Sequence, residues 1–209
     1  MAKRKAPSPV FSAWERIVFE TPREEGRYPP EAEDEWAVLW QEHIEGENLA
    51  QSTVDDASIL CTLGWSLAMQ RRDFPAALAR ASRYFEHPDW EQGDETTREI
   101  LLGYIAEAKW GAGDEGGALD DLRQLLQRQR RYRPGPLLIV RSVVDSCAQE
   151  RPPDERAPED FARLTAEVVS RFQGCVRLSR SITPGTDTYA QLRKVFEQTR
   201  PVELLSPRP

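Results

Sequence analysis

The apolar positions of this chain recur mostly three or four residues apart, the period of helices that bury one face. Phe11, Trp14, Ile17 and Val18 form a first short stripe, and three prolines between Thr21 and Pro30 break it. From Glu31 to Glu45, Trp36, Leu39, Trp40, His43 and Ile44 fall on one face. Pro29 and Pro30 open that helix, acids fill its first turn where the helix dipole favours them, and Gly46 is a stop. Ser52 or Thr53 can cap the next helix, whose stripe is Ile59, Leu60, Leu63, Leu67 and Ala68. Asp73 caps its partner, which carries Phe74, Ala77, Leu78, Ala81, Tyr84 and Phe85 and closes at Pro88. Pro75 is tolerated there because it lies in the first turn.

After a polar connector, Asp89 to Glu95, the pattern returns. Ile100, Leu101, Tyr104, Ile105 and Ala108 are followed by a turn at Gly111 to Gly113, a cap at Asp114, then Ala118, Leu119, Leu122, Leu125 and Leu126. Pro134, Gly135 and Pro136 end that helix. Leu137 to Cys147 is apolar almost all round and is read as a buried helix, with a strand over Leu137 to Val144 as the alternative. A proline-rich loop, Arg151 to Pro158, precedes a helix carrying Phe161, Leu164, Val168, Val169 and Phe172. Cys175 to Ile182 fits neither period. Thr186 or Asp187 can cap a last helix with Tyr189, Leu192, Val195 and Phe196 on its apolar face. The expectation is an all-α protein of about seven or eight helices in antiparallel hairpins. It has a disordered tail over 1–9, one helical domain over 10–200 and a frayed end over 201–209.

Two hairpins share more than a period. Aligning Asp73 with Asp114 places Ala77 on Ala118 and Leu78 on Leu119. Leu63-Gly64 and Leu102-Gly103 occur in the preceding helices. This arrangement, over about residues 57–131, resembles a tetratricopeptide repeat, which places a small residue where its paired helices approach; Pro88 resembles the proline that closes a unit. The offset here is 41 residues against about 34 in the family, the excess falling in the connector. The resemblance implies stacked hairpins forming a tetratricopeptide-like α-solenoid, an irregular helical bundle being the alternative. It also implies a groove lined by the first helix of each hairpin, where Thr62, Ser66, Met69, Gln70, Glu107 and Trp110 would meet a partner segment.

Composition narrows the function. The net charge of −7 argues against general nucleic-acid binding, which needs a positive face. The charge is concentrated: residues 11–60 hold acids from Glu15 to Asp56 against only Arg16, Arg23 and Arg27. This acidic stretch, with Glu33, Asp34 and Glu35 at its centre, is a solvated face or a surface for a basic partner. Arg123, Arg128, Arg130, Arg131 and Arg133 crowd one helix end. They complement its dipole, or contact RNA or an acidic protein.

Catalytic spacing is missing. His43 sits in an apolar stripe and reads as a satisfied core histidine, and His87 as a cation at a helix end. They are not spaced as metal ligands. The glycine-rich stretch Gly111 to Gly117 leads into Ala118-Leu119, not the Lys-Ser or Lys-Thr of a phosphate loop. Cys61, Cys147 and Cys175 are few, odd in number and scattered, which predicts no disulfide framework, no zinc knuckle and a reducing, cytoplasmic setting. The basic residues Lys3, Arg4 and Lys5 lead into Ala6–Pro9, not an apolar run, so no secretory signal is predicted. Of the tryptophans, Trp90 in the polar connector is the one expected to be partly exposed and to anchor a partner. The reading is a non-enzymatic protein-binding module (adaptor, chaperone or regulatory subunit) needing no metal or cofactor. A toxin-neutralising or effector-inhibiting acidic protein and a helical enzyme with a nonlocal site are the alternatives.

Overall fold

Local rules place each helix start. The computed structural model describes residues 7–23, 27–128, 135–149, 163–164 and 167. Ser8 and Pro9, expected in a disordered tail, instead open α1 (Pro9–Glu15). The Ser8 hydroxyl accepts the Phe11 N–H and donates to the Asp56 carboxylate, tying α1 to a residue 48 positions further along the chain. α1 runs into a π-helical turn, Arg16–Glu20. α2 (Pro30–His43) opens on proline with Glu31 and Glu33 in its first turn. A 3-10 segment, Gly46–Gln51, leads to α3 (Val54–Gln70), capped by Thr53, whose Oγ1 accepts the Asp56 N–H at 3.1 Å. α4 (Phe74–Ser82) is capped by Asp73 and continues as a 3-10 turn, Arg83–Glu86. The polar connector holds one more such turn, Trp90–Gln92, before α5 (Glu95–Gly111), capped by Asp94. α6 (Glu115–Gln127) and α7 (Gly135–Gln149) follow. Leu137 to Cys147 is thus helix, not strand, and the described residues contain no strand element.

The two hairpin turns are built alike. After α3, the Arg72 N–H donates to Met69 O and the Asp73 N–H to Ala68 O. After α5, the Gly113 N–H donates to Trp110 O and the Asp114 N–H to Lys109 O. Arg72 and Gly113 occupy the left-handed region at φ 58° and 88°, which such helix ends require and glycine adopts without strain. Asp73 and Asp114 then cap α4 and α6, accepting the N–H of Ala76 and Gly117. The correspondence inferred from Asp73 and Asp114 therefore extends to the backbone hydrogen bonds of both turns.

The chain divides into two compact units, Met1–Ala118 and Leu119–Pro209. In the first, α3 packs on α4, α4 on α5, and α1 and α2 lie against α3. Its core runs through Val10, Ile17, Trp36, Ile44, Leu60, Cys61, Leu63, Leu67, Tyr84 and Leu101. A second, small-residue cluster joins Ala68, Ala77 and Ala108, where three helices approach too closely for larger side chains. In the second unit, Leu122, Leu125 and Leu126 of α6 and Val140, Val143, Val144 and Cys147 of α7 are buried. Helical backbone recurs at Arg163, Leu164 and Glu167, with Leu164 buried. The expectations for 151–158, 175–182, the last helix and the C-terminal tail lie outside the described residues. No helix of the described residues is long and apolar enough to cross a membrane.

Candidate functional site

The side chains that set the geometry centre on Gly64, in the middle of α3. Its missing side chain leaves room for the Trp36 indole, the nearest atom of which would stand 2.6 Å from an added Cβ. The indole is held on three sides. Nε1 donates to Leu60 O at 2.9 Å, the Arg80 guanidinium lies 4.1 Å from the ring centroid, and Trp40 packs beside it at 5.0 Å. Arg80 also donates to Gly64 O at 3.1 Å and pairs with Glu33 at 3.4 Å, and Glu33 reaches Arg71 as well. One knot of side chains therefore locks α2, α3 and α4 together. It places a cation on an aromatic face in a largely desolvated setting, where that contact is strongest.

α3 and α5 meet at a second aromatic contact. Trp65 and Tyr104 stack at 3.7 Å and 10°, and Trp65 Nε1 donates to Tyr104 O at 3.1 Å. Burial, with Glu107 and Tyr28 nearby, raises the Tyr104 hydroxyl above its usual pKa. Around this stack, Thr62, Ser66, Met69 and Gln70 follow one face of α3 and Glu107 lies on α5, all half-buried. The residues expected to line a groove are thus brought to two adjoining helices, with one exception. Trp110 is only 7% exposed and is a core residue, not an open anchor. The face also carries a segment of the chain itself. The backbone N–H of Tyr28 donates to Gln70 Oε1 at 3.0 Å, and Arg23 donates to the Tyr28 hydroxyl and lies over its ring. Pro29 continues this segment in extended backbone, φ −70° and ψ 163°.

The acidic stretch is less open than its composition implies. Glu33 is spent on Arg71 and Arg80, and Glu35 on Arg16, so of the central three only Asp34 is exposed. Glu31, Glu42, Glu45 and Glu47 remain on the surface, with Val38 56% exposed among them. These ion pairs reach across at least nineteen residues of chain, from Arg16 to Glu35, so no local pattern announces them.

His43 is half-buried in the last turn of α2. His87 stands at the end of the Arg83–Glu86 turn, but it is a buried, hydrogen-bonded side chain and not a solvated one. Its Nδ1 accepts the Asp89 N–H at 3.0 Å and its Nε2 bonds Ser52 O at 3.1 Å, so it fastens the connector to the end of the Gly46–Gln51 segment. Trp90 is half-buried, edge-on to Phe85, with Arg98 over its ring. Burial pushes the Cys61 thiol up to about 12, far from a nucleophile's range, and Cys147 is also buried. Among the described residues no group of His, Cys, Asp and Glu is arranged to hold a metal ion. Of the arginine cluster, Arg123 pairs with Asp120 and Arg128 is exposed, while Arg130, Arg131 and Arg133 lie outside the described residues.

Comparison of the chain with protein-family models, with characterised proteins and with solved structures gave no match.

Proposed function

We propose that this chain is a non-enzymatic protein-binding module, a cytoplasmic adaptor, chaperone or regulatory subunit. Its α3–α5 face receives an extended segment of a partner, in the manner of a tetratricopeptide-like scaffold. The observation that carries this reading is Gln70 accepting the backbone N–H of Tyr28: the face already holds extended peptide, its own. Thr62, Ser66 and Glu107 supply polar groups on the same two helices, and Met69 supplies an adaptable apolar one. The likeness of the two hairpin turns supports a repeat-like scaffold beneath it. Affinity capture from native lysate with mass spectrometry would supply a partner. Met69→Lys should then raise its dissociation rate with little dependence on salt. Unaltered binding by that variant would reject the face.

A second reading rests on the exposed acids of α2. If a basic surface, such as that of a toxin or effector, is the partner, Asp34→Lys with Glu31→Lys should slow association, and salt should weaken binding. Turnover of a small molecule, lost on mutating His43, would overturn both readings.

A further inference from the structure

The N-terminal helix of the first unit carries an aromatic ridge separate from the α3–α5 face. Val10, Ala13 and Ile17 bury their side chains. On the outer side, Phe11 and Trp14 stand 5.4 Å apart between ring centroids, and Trp14 and Phe19 meet edge-on at 5.4 Å and 87°. Phe19 is 72% exposed and Phe11 37%.

This ridge depends on the π-helical turn. In an α-helix, Val18 would follow Trp14 on the outer stripe and Phe19 would be turned about 140° away from Trp14. The Thr21 N–H donates instead to Arg16 O at 2.9 Å, five residues back, in the pattern of a π-turn. The wider turn brings residue 19 over residue 14. Such turns are rare and cluster at functional sites. Here the irregular backbone extends an aromatic surface into solvent when a regular helix would have presented valine.

The charges around the ridge select its occupant. Glu15 and Glu20 are exposed beside it, and Asp34 is exposed one residue from Glu35, which Arg16 holds. Among the described residues, Arg16 pairs with Glu35 and also lies near Glu20, and Arg23 donates to the Tyr28 hydroxyl. A second copy docked through the same ridge would bring two acid-flanked patches together, since a two-fold contact uses the same patch on both copies. An anionic lipid surface would meet the same acids. We propose that the Phe11–Trp14–Phe19 ridge docks a basic amphipathic segment of a partner protein, its apolar side on the rings and its Lys or Arg side chains on Glu15 and Glu20. This surface shares no residue with the α3–α5 face, and either can fail without the other.

The test uses the full chain and a labelled helical peptide built only of leucine and lysine, beside its leucine–glutamate counterpart, read by fluorescence anisotropy. The leucine–lysine peptide should bind and the leucine–glutamate peptide should not. Phe19→Ser, which leaves every charge in place and alters an exposed side chain, should weaken binding about tenfold or more, the loss typical of an aromatic anchor. Glu15→Lys with Glu20→Lys should weaken it too, and Met69→Lys should not. Failure of the leucine–lysine peptide to bind, or equal affinity for Phe19→Ser, overturns the proposal. Sedimentation with phosphatidylglycerol vesicles that Phe19→Ser abolishes would overturn it in favour of a membrane surface. Self-association in analytical ultracentrifugation that the same variant abolishes would overturn it in favour of a second copy.

Discussion

Gly64→Ala should destabilise this protein, although alanine is the better helix former. In an open helix interior the change would gain about 1 kcal/mol. Here the new methyl would stand 2.6 Å from Trp36 Cζ2 and 2.9 Å from Cε2, where ordinary contact begins near 3.4 Å. The indole would have to retreat by roughly 1 Å, the overlap that overpacking penalties reflect. It cannot do so freely. Retreat stretches the 2.9 Å bond from Nε1 to Leu60 O, and a buried donor left unpaired costs about 1–3 kcal/mol. It also draws the ring from beneath Arg80, a contact worth about 0.5–2 kcal/mol. Partial relaxation and the propensity gain offset some of this, leaving about 1–3 kcal/mol of net destabilisation. For a chain of this length that lowers the melting temperature by roughly 2–12 °C. Thermal melts followed by circular dichroism would measure it. Trp36→Phe removes the atoms nearest Gly64, so in that background Gly64→Ala should cost much less, and a double-mutant cycle should return a coupling of about 1 kcal/mol or more. A Gly64→Ala protein that melts at or above the parent temperature would refute the reasoning.

Ala77→Leu should overpack the junction with Ala68 and Ala108, costing about 1–3 kcal/mol, and an unchanged urea midpoint would show that the helices there have room. Stability should also fall in alkali. Burial raises the thiol of Cys61 to about 12 and raises the hydroxyls of Tyr84 and Tyr104, so folding favours their neutral forms. The unfolded chain releases those protons first and binds fewer than the folded one, so the free energy of unfolding declines as pH rises. Melting temperature should therefore hold at neutral pH and drop above about pH 9, less steeply in Cys61→Ala. A thiol reagent at neutral pH should label Cys61 only after denaturation, and rapid labelling located at Cys61 by peptide mapping of the native protein, as distinct from Cys147 and Cys175, would contradict its burial.

The helices of the first unit were legible because their causes are local. Thr53, Asp73 and Asp114 cap where a short polar side chain precedes an apolar stripe, and the left-handed residue at each hairpin turn follows from the need to end one helix before another begins. Those signals act over a few residues and survive in the sequence as spacing. The small residues were legible as well: Ala77 is buried where its match with Ala118 predicts close approach.

What the spacing could not carry was decided across long stretches of chain. The indole that fills the space at Gly64 comes from Trp36, and the cation above it from Arg80. Neither is within a helical turn of the glycine, so no periodicity pairs them. Composition made Glu33 and Glu35 look like open charge, but an ion pair depends on which arginine the fold brings within reach, and Arg71, Arg80 and Arg16 consume both. His87 is buried where it meets Ser52, 35 residues back along the chain, and Trp110 is buried as well, although neither burial shows in its own sequence neighbours. The turn at Arg16 widened to five residues in a stretch whose pattern reads as ordinary helix, and only that widening put Phe19 beside Trp14. Sequence alone determined where α2 to α6 begin and which face each buries, since those are short-range preferences of backbone and side chain. Tertiary packing decided which charges stay free and which aromatics face water, since both depend on partners distant along the chain.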